Sequence, residues 1–187
     1  MGATANDDYE QCFHAAIART NSHGLDCPVF SAGSAPLLTG DGMSELSKYL
    51  VKQQGGLKLS DVSSRCVDAN MTVKPYVEKF FGVTVYVTSG AVRQEATSPF
   101  FELSESDIHA LLVNPIQRQH LQPIPFHAWL TFPTMEILDI TLGTSIGMRF
   151  NVQKLLGQVY SGYPAALPFI WHPMMVGEEF LRKSGAV

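Results

Sequence analysis

Apolar residues recur at helical spacing in the first half of the chain. This spacing predicts one helix over residues 9–20 and a second over residues 44–54. A third helical pattern begins around Cys66 and runs to residue 81, where Gly82 suits a helix end. Pro75 lies inside this third pattern and is expected to kink or interrupt it. The first half is therefore predicted to be helical.

Alternation of apolar and polar residues with period two begins immediately after the third helix. It predicts strands over residues 83–88, 126–132 and 136–142, the last two joined by a tight turn. The long connection 93–125 between the first two strands is predicted to hold a short helix over residues 106–113. The middle of the chain is thus a run of strands, two of them forming a hairpin.

The last part of the chain mixes short elements with prolines. We predict a strand near Met148, a helix over residues 153–157, a proline-rich loop and a final helix over residues 176–183. Helices before and after a central run of hairpin-connected strands indicate the α+β class, with helices packed on a central antiparallel sheet.

The length of 187 residues is that of one domain, and the chain shows no internal repeat. We expect a single domain over residues 1–187. Within it we distinguish a helical N-terminal part (1–60), a core that carries the candidate site (61–150) and a C-terminal extension (151–187).

Charge narrows the classes of function. Charged residues make up only 16% of the chain and the net charge is −4, so a nucleic-acid-binding protein is not expected. A surface with so few charges favours a substrate groove, a partner or a homo-oligomer interface. The longest apolar stretch, residues 163–176, is broken by prolines and cannot form a membrane-spanning helix. No secretory signal begins the chain. We therefore expect a cytoplasmic protein that does not enter a membrane.

Cysteine and histidine usage excludes several site types. Three cysteines do not make a disulfide scaffold, and no Cys-x-x-Cys or His-x-x-x-His pair indicates a metal site. The glycines at residues 143–147 lack the lysine of a phosphate-binding loop. We expect neither a metal nor a cofactor.

An ordered set of three residues carries the candidate chemistry. Cys66 opens a helix, where the macrodipole and the free amide donors favour a thiolate and Arg65 adds a positive charge. The same amides can stabilise an oxyanion. His127 lies in one strand and Asp139 in the next. A catalytic thiol needs an imidazole as its base, and the imidazole needs a partner that fixes its tautomer.

The turn between the two strands tests this set. An odd loop, for example residues 133–135, sets Trp129 opposite Asp139 and brings His127 and Asp139 onto one face as diagonal neighbours. A two-residue loop places them on opposite faces, because side chains alternate along a strand. The triad therefore predicts an odd loop or a bulge.

The chain resembles the transglutaminase-like branch of the papain-like cysteine enzymes. The resemblance rests on the cysteine that opens a helix, on His127-Ala128-Trp129 in one strand and on Ile137-Leu138-Asp139 in the next. It covers residues 63–142. It implies a papain-like core with Cys66 as nucleophile, His127 as general base and acid, and Asp139 as the orienting carboxylate. It also implies a peptide or protein amide as substrate.

The leading hypothesis is a thiol-dependent acyl-transfer enzyme that acts on an amide. Water as acceptor gives a cysteine peptidase, amidase or deamidase, whereas an amine gives an acyltransferase. The alternative is a non-catalytic protein-binding domain on the same scaffold, in which Cys66 is a small core residue.

Overall fold

The structure is a computed structural model that describes residues 5–55, 65–94, 98–117 and 124–187. Its helices are α1 (Ala5–Ser22), α2 (Gly40–Gln54), α3 (Cys66–Phe81), α4 (Glu105–Val113), α5 (Leu142–Phe150) and α6 (Glu178–Lys183). Its strands are β1 (Tyr86–Arg93), β2 (His127–Thr131), β3 (Ile137–Asp139), β4 (Tyr160–Gly162) and β5 (Ile170–Val176). Two 3₁₀ turns, Gln153–Leu155 and Pro164–Ala166, flank β4.

The strands form one sheet in the order β4-β3-β2-β1-β5, and every pairing is antiparallel. The predicted α+β class with a central antiparallel sheet is confirmed. Residues 151–187, which we expected to be an extension, contribute β4 and β5, one at each edge of this sheet. β5 joins the sheet beside β1, and α1 packs against it.

The helix boundaries follow their caps. α2 begins at Gly40 rather than at residue 44, because the Thr39 side chain accepts a hydrogen bond from Gly42 N at 3.2 Å. α3 continues past Pro75 without interruption and ends where Gly82 adopts φ 68°. A capping box between Ser104 and Asp107 starts α4 close to its predicted position.

The strand boundaries differ more from the predictions. β1 extends to Arg93 because its second half pairs with β5, a strand that the prolines of that region concealed. Proline is tolerated there because β5 is an edge strand and Pro173 pairs next to a bulge. β3 ends at Asp139 rather than at residue 142, since the chain turns there into α5. That helix contains Met148, so the strand predicted near this residue is wrong.

Apolar side chains pack on both faces of the sheet. On one face, Ala128 and Leu130 of β2 join a core cluster that includes Val73 of α3. On the other face, Trp129 joins a second cluster with Phe13 of α1. Successive residues of β2 thus enter opposite layers, as the alternation along a strand requires.

No helix in the described part of the chain has the length and apolar character needed to cross a membrane.

Candidate active site

The hairpin that carries His127 and Asp139 has an odd loop. Leu130 pairs with Leu138 across the two strands, and Phe132 N donates to Glu136 O at 2.8 Å. Three residues remain in the turn, and the last of them, Met135, has φ 64°. A three-residue loop with its last residue in the left-handed region is a common hairpin connection. The predicted register is confirmed.

The imidazole of His127 and the carboxylate of Asp139 meet inside the protein. His127 Nε2 donates to Asp139 Oδ2 at 2.7 Å, and both side chains are fully buried. The same oxygen accepts a hydrogen bond from Trp171 Nε1 at 2.9 Å. Because a carboxylate can only accept, this contact places a proton on Nε2 and fixes the orientation of the ring. Sequence reasoning missed Trp171, because it lies in the strand hidden among prolines.

The second carboxylate oxygen of Asp139 is held by the start of α5. Oδ1 accepts from Thr141 N at 3.1 Å, from Thr141 Oγ1 at 3.3 Å and from Leu142 N at 3.0 Å. Burial raises the pKa of Asp139, but the charge of His127 and the hydrogen bonds outweigh it and the pKa is lowered. Asp139 is therefore a buried anion with both oxygens satisfied. In the sequence, an aspartate two residues before its backbone donor is the pattern of a local turn, and Asp139 has this position relative to Thr141.

His127 keeps one nitrogen unused. Its Nδ1 has no hydrogen-bond partner in the described part of the chain. Burial by itself lowers the pKa of His127, but the charges of Asp139 and Cys66 raise it to about 10. The ring of Phe101 covers the imidazole, with ring centroids 4.9 Å apart and planes tilted by 31°. The imidazole is thus protonated at neutral pH, held by Asp139 on one nitrogen and open on the other.

Cys66 begins α3, and its side chain is 3% exposed. Asn70, one helical turn later, donates from Nδ2 to Cys66 O at 2.7 Å and to Ala128 O at 2.8 Å. Ala128 follows His127 directly, so this amide ties the first turn of α3 to the strand that carries the imidazole. The thiol also interacts with His127 as a charge and as a hydrogen-bonding group. The contact between the Cys66 thiol and His127 is not a well-aligned hydrogen bond, because His127 Nδ1 has no partner of hydrogen-bond geometry among the described residues.

The positive charge expected beside the thiol is already paired. Arg65 Nε donates to Asp68 Oδ2 at 3.1 Å, three residues along the same helix. The electrostatic partner of Cys66 is therefore the imidazolium of His127 rather than Arg65. The structure brings together all three candidate residues and adds Trp171 and Asn70 as the side chains that hold them.

A cleft of about 870 Å³ opens beside Cys66. Phe101 and Phe126 give it apolar walls, and Ser145, Met148 and Arg149 of α5 also line it. The volume is in the range of small-molecule and peptide side-chain pockets. Since Cys66 lines this cleft, its small exposed area faces a space that a substrate can enter.

Comparison with known proteins returns no relative. No protein-family model, no curated protein and no solved structure matches the chain. Within residues 5–55, 65–94, 98–117 and 124–187, no group of three or more His, Cys, Asp or Glu side chains is placed to hold a metal ion. The groups that the site offers for chemistry are its thiol, its imidazole and its carboxylate.

Proposed function

We propose that this protein is a thiol-dependent acyl-transfer enzyme that acts on an amide through Cys66, His127 and Asp139. The observation that carries the proposal is the buried imidazole whose Nε2 is fixed by Asp139 and whose Nδ1 is unpartnered next to the Cys66 thiol. A carboxylate on one nitrogen and a thiol beside the other is the arrangement that a histidine needs in order to exchange a proton with Cys66 and with the substrate.

The reaction follows from these three side chains. Because His127 is already protonated, Cys66 Sγ attacks the carbonyl carbon of the amide as a thiolate paired with this imidazolium. The protonated His127 then gives its Nδ1 proton to the leaving nitrogen, so the C–N bond breaks and a thioester remains on Cys66. Water or an amine then attacks the thioester and gives its proton to Nδ1, and the C–S bond breaks so that Cys66 leaves as the thiolate of the resting pair. Asp139 stays ionised and stabilises the imidazolium throughout.

The arrangement supports a place in the transglutaminase-like branch of the papain-like enzymes. The cysteine opens α3, which packs on the sheet, and the His and Asp follow on β2 and β3 of an antiparallel hairpin. The cleft combines apolar walls, such as Phe101 and Phe126, with the charged groups of Asp107 and Arg149, and this mixed lining suits a peptide or protein amide. A protein-binding domain on the same scaffold would share this fold but would leave Cys66 unreactive.

Site-resolved alkylation tests the proposal. We expect iodoacetamide at neutral pH to modify Cys66 faster than Cys27, measured by peptide mass spectrometry, although Cys66 is the more buried thiol. His127→Ala should abolish this excess. His109→Ala, which removes an exposed histidine of α4, should leave it intact. Equal rates at Cys66 and Cys27, or an excess that survives His127→Ala, would contradict the assignment.

The acyl-transfer step is tested separately with an activated aryl ester. We expect an acyl adduct on Cys66 that the Cys66→Ser variant does not form as a thioester. Its decay in water alone and in the presence of an added amine distinguishes a hydrolase from an amine acyltransferase by the mass of the product. A protein that never acquires the adduct, while Cys66 is accessible to iodoacetamide, would favour the binding-domain alternative.

A further inference from the structure

A second thiol and imidazole meet at a different place in the fold. Cys12 of α1 and His172 of β5 contact each other, with Cys12 Sγ 3.6 Å from His172 Nδ1. Both line a cleft of about 630 Å³ between α1 and the start of β5. Phe169 and Trp171 supply apolar surface to this cleft, and neither Cys66 nor His127 belongs to it.

A guanidinium shares this cleft. Arg93 pairs with Ile170 across β1 and β5, and Ala91 pairs with His172, so Arg93 and His172 are diagonal neighbours. In the described residues, Arg93 has no ion-pair partner within 4.0 Å. Asp8 is the acidic side chain on the facing helix. Arg93 is therefore a cation at the rim that is available to an incoming anion.

The thiol and the imidazole are both neutral at neutral pH. Burial, followed by the charge of Asp8, raises the pKa of Cys12 and outweighs the opposite effect of Arg19. Burial, with the charges of Arg19 and Arg93, lowers the pKa of His172. Arg19 itself is held by Glu105 and by Met174 O. Both shifts oppose proton transfer, so the role of His172 as the base rests on geometry: the 3.6 Å contact places its Nδ1 where it can take the proton of Cys12.

We infer that the cleft between α1 and β5 is a thiolation site, in which Cys12 exchanges with a small disulfide that carries a carboxylate. His172 Nδ1 accepts the proton of Cys12, and the sulfur attacks one sulfur of the disulfide. The disulfide bond of the reagent breaks as the new bond to Cys12 forms. The other half leaves as a thiolate and takes the proton from His172, so the products are a mixed disulfide on Cys12 and one free thiol.

Each part of the cleft has a place in this exchange. The planar guanidinium of Arg93 matches a carboxylate, which it can bind with two parallel hydrogen bonds. The apolar surface of Phe169 and Trp171 suits the aliphatic carbons and sulfurs of the reagent. Cys12, His172 and Arg93 take no part in the chemistry proposed at Cys66, so substitutions of these three residues test the second site independently of the first.

The test uses the full chain with Cys66→Ser and two aliphatic disulfides of similar size. These are 3,3′-dithiodipropionate, which is anionic, and cystamine, which is cationic. Peptide mass spectrometry follows the mixed disulfide on Cys12, with Cys27 as the matched control because it is also half-buried and its pKa is also raised by burial. We expect the anionic reagent to modify Cys12 at least about tenfold faster than Cys27, since a positioned base accelerates proton removal.

Variants separate the base from the anion-binding group. His172→Gln should reduce the rate at Cys12 to that at Cys27, whose own rate stays constant if the fold is intact. Arg93→Gln should remove a preference of roughly fivefold for the anionic over the cationic reagent, the scale of one exposed charge pair.

Equal rates at Cys12 and Cys27 in the Cys66→Ser protein would overturn the site. A rate at Cys12 that survives His172→Gln would overturn the role of the base. A parent protein that reacts as fast with cystamine as with dithiodipropionate would overturn the ligand class.

Discussion

Replacement of Asp139 by Asn perturbs the buried ion pair with the smallest change in shape. The carboxylate accepts from His127 and Trp171 on one oxygen and from the start of α5 on the other. An amide has only one oxygen, so its NH₂ group must face either His127 and Trp171 or the backbone donors of α5. Removing one partner of a buried ion pair costs about 3–5 kcal/mol, and we expect a loss of this size at pH 6–7.

The contribution of this ion pair to the free energy of unfolding depends on pH. His127 has a pKa of about 10 in the folded chain, against 6.5 for an unperturbed histidine. The stability that comes from this group is therefore complete below pH 6.5 and is lost as the pH rises towards 10. Between these values the folded state holds one more proton than the unfolded state, so the contribution falls by about 1.4 kcal/mol per pH unit. The pKa of Asp139 is lowered, so its own contribution is lost only under acidic conditions.

Urea unfolding of the parent protein and the Asp139→Asn variant between pH 6 and 10 measures this difference. We expect the difference in free energy of unfolding between the parent and the variant to be largest near pH 6 and to become smaller with each pH unit above it. Asp107→Asn is the control, because Asp107 is a solvent-facing carboxylate in the capping box of α4. Asp107→Asn should lower the free energy of unfolding by about 1 kcal/mol or less, and by the same amount at every pH in this range. A gap for Asp139→Asn that is equally small and equally flat would refute the buried ion pair.

Three further substitutions, with Gly40→Ala as a control, test contacts of the sheet and of the turn beside it. Tyr9→Phe should cost about 1–3 kcal/mol in urea unfolding, because it leaves the indole N–H of Trp129, 2.8 Å from the Tyr9 hydroxyl, without its acceptor. Gly90→Ala should cost more than about 2 kcal/mol, since its Cβ would lie 2.0 Å from a carbonyl oxygen of β5, whereas Gly40→Ala meets no atom within 4 Å and should be nearly neutral. Glu136→Gln should cost about 1–2 kcal/mol, because this carboxylate accepts two backbone amides from the segment before α2. A neutral result at Tyr9 or Glu136, or equal losses at the two glycines, would contradict these contacts.

The sequence was most informative where one local rule decided the structure. If His127 and Asp139 lie on one face of the β2–β3 hairpin, its loop must have an odd number of residues, and the structure has such a loop. The helix that Cys66 opens and the glycine that ends it were likewise readable from spacing and capping.

Elements that depend on distant partners were not readable in the same way. β5 contains Pro173 and reads as a loop, because only its pairing with β1 makes it a strand. The contact of Trp171 with Asp139 depends on that pairing and was therefore missed. The ion pair of Arg65 with Asp68 is different, because it is a local contact three residues along one helix that the sequence could have shown. Periodicity reports the local conformation, whereas the pairing of β5 and the contact of Trp171 with Asp139 are set by tertiary packing.

The position of β5 in the chain has a consequence for biosynthesis. The residues proposed to do the chemistry are all synthesised before β5, yet Asp139 receives one of its hydrogen bonds from Trp171 of that strand. Since β5 also pairs with β1 and packs against α1, the nascent chain presents an unpaired edge of β1 until the strand arrives. The ion pair of His127 and Asp139 therefore reaches its full set of partners only after β5 has been made. A chain that ends before residue 170, held on the ribosome by a C-terminal linker long enough to clear the exit tunnel, should show a more easily proteolysed hairpin than the released protein.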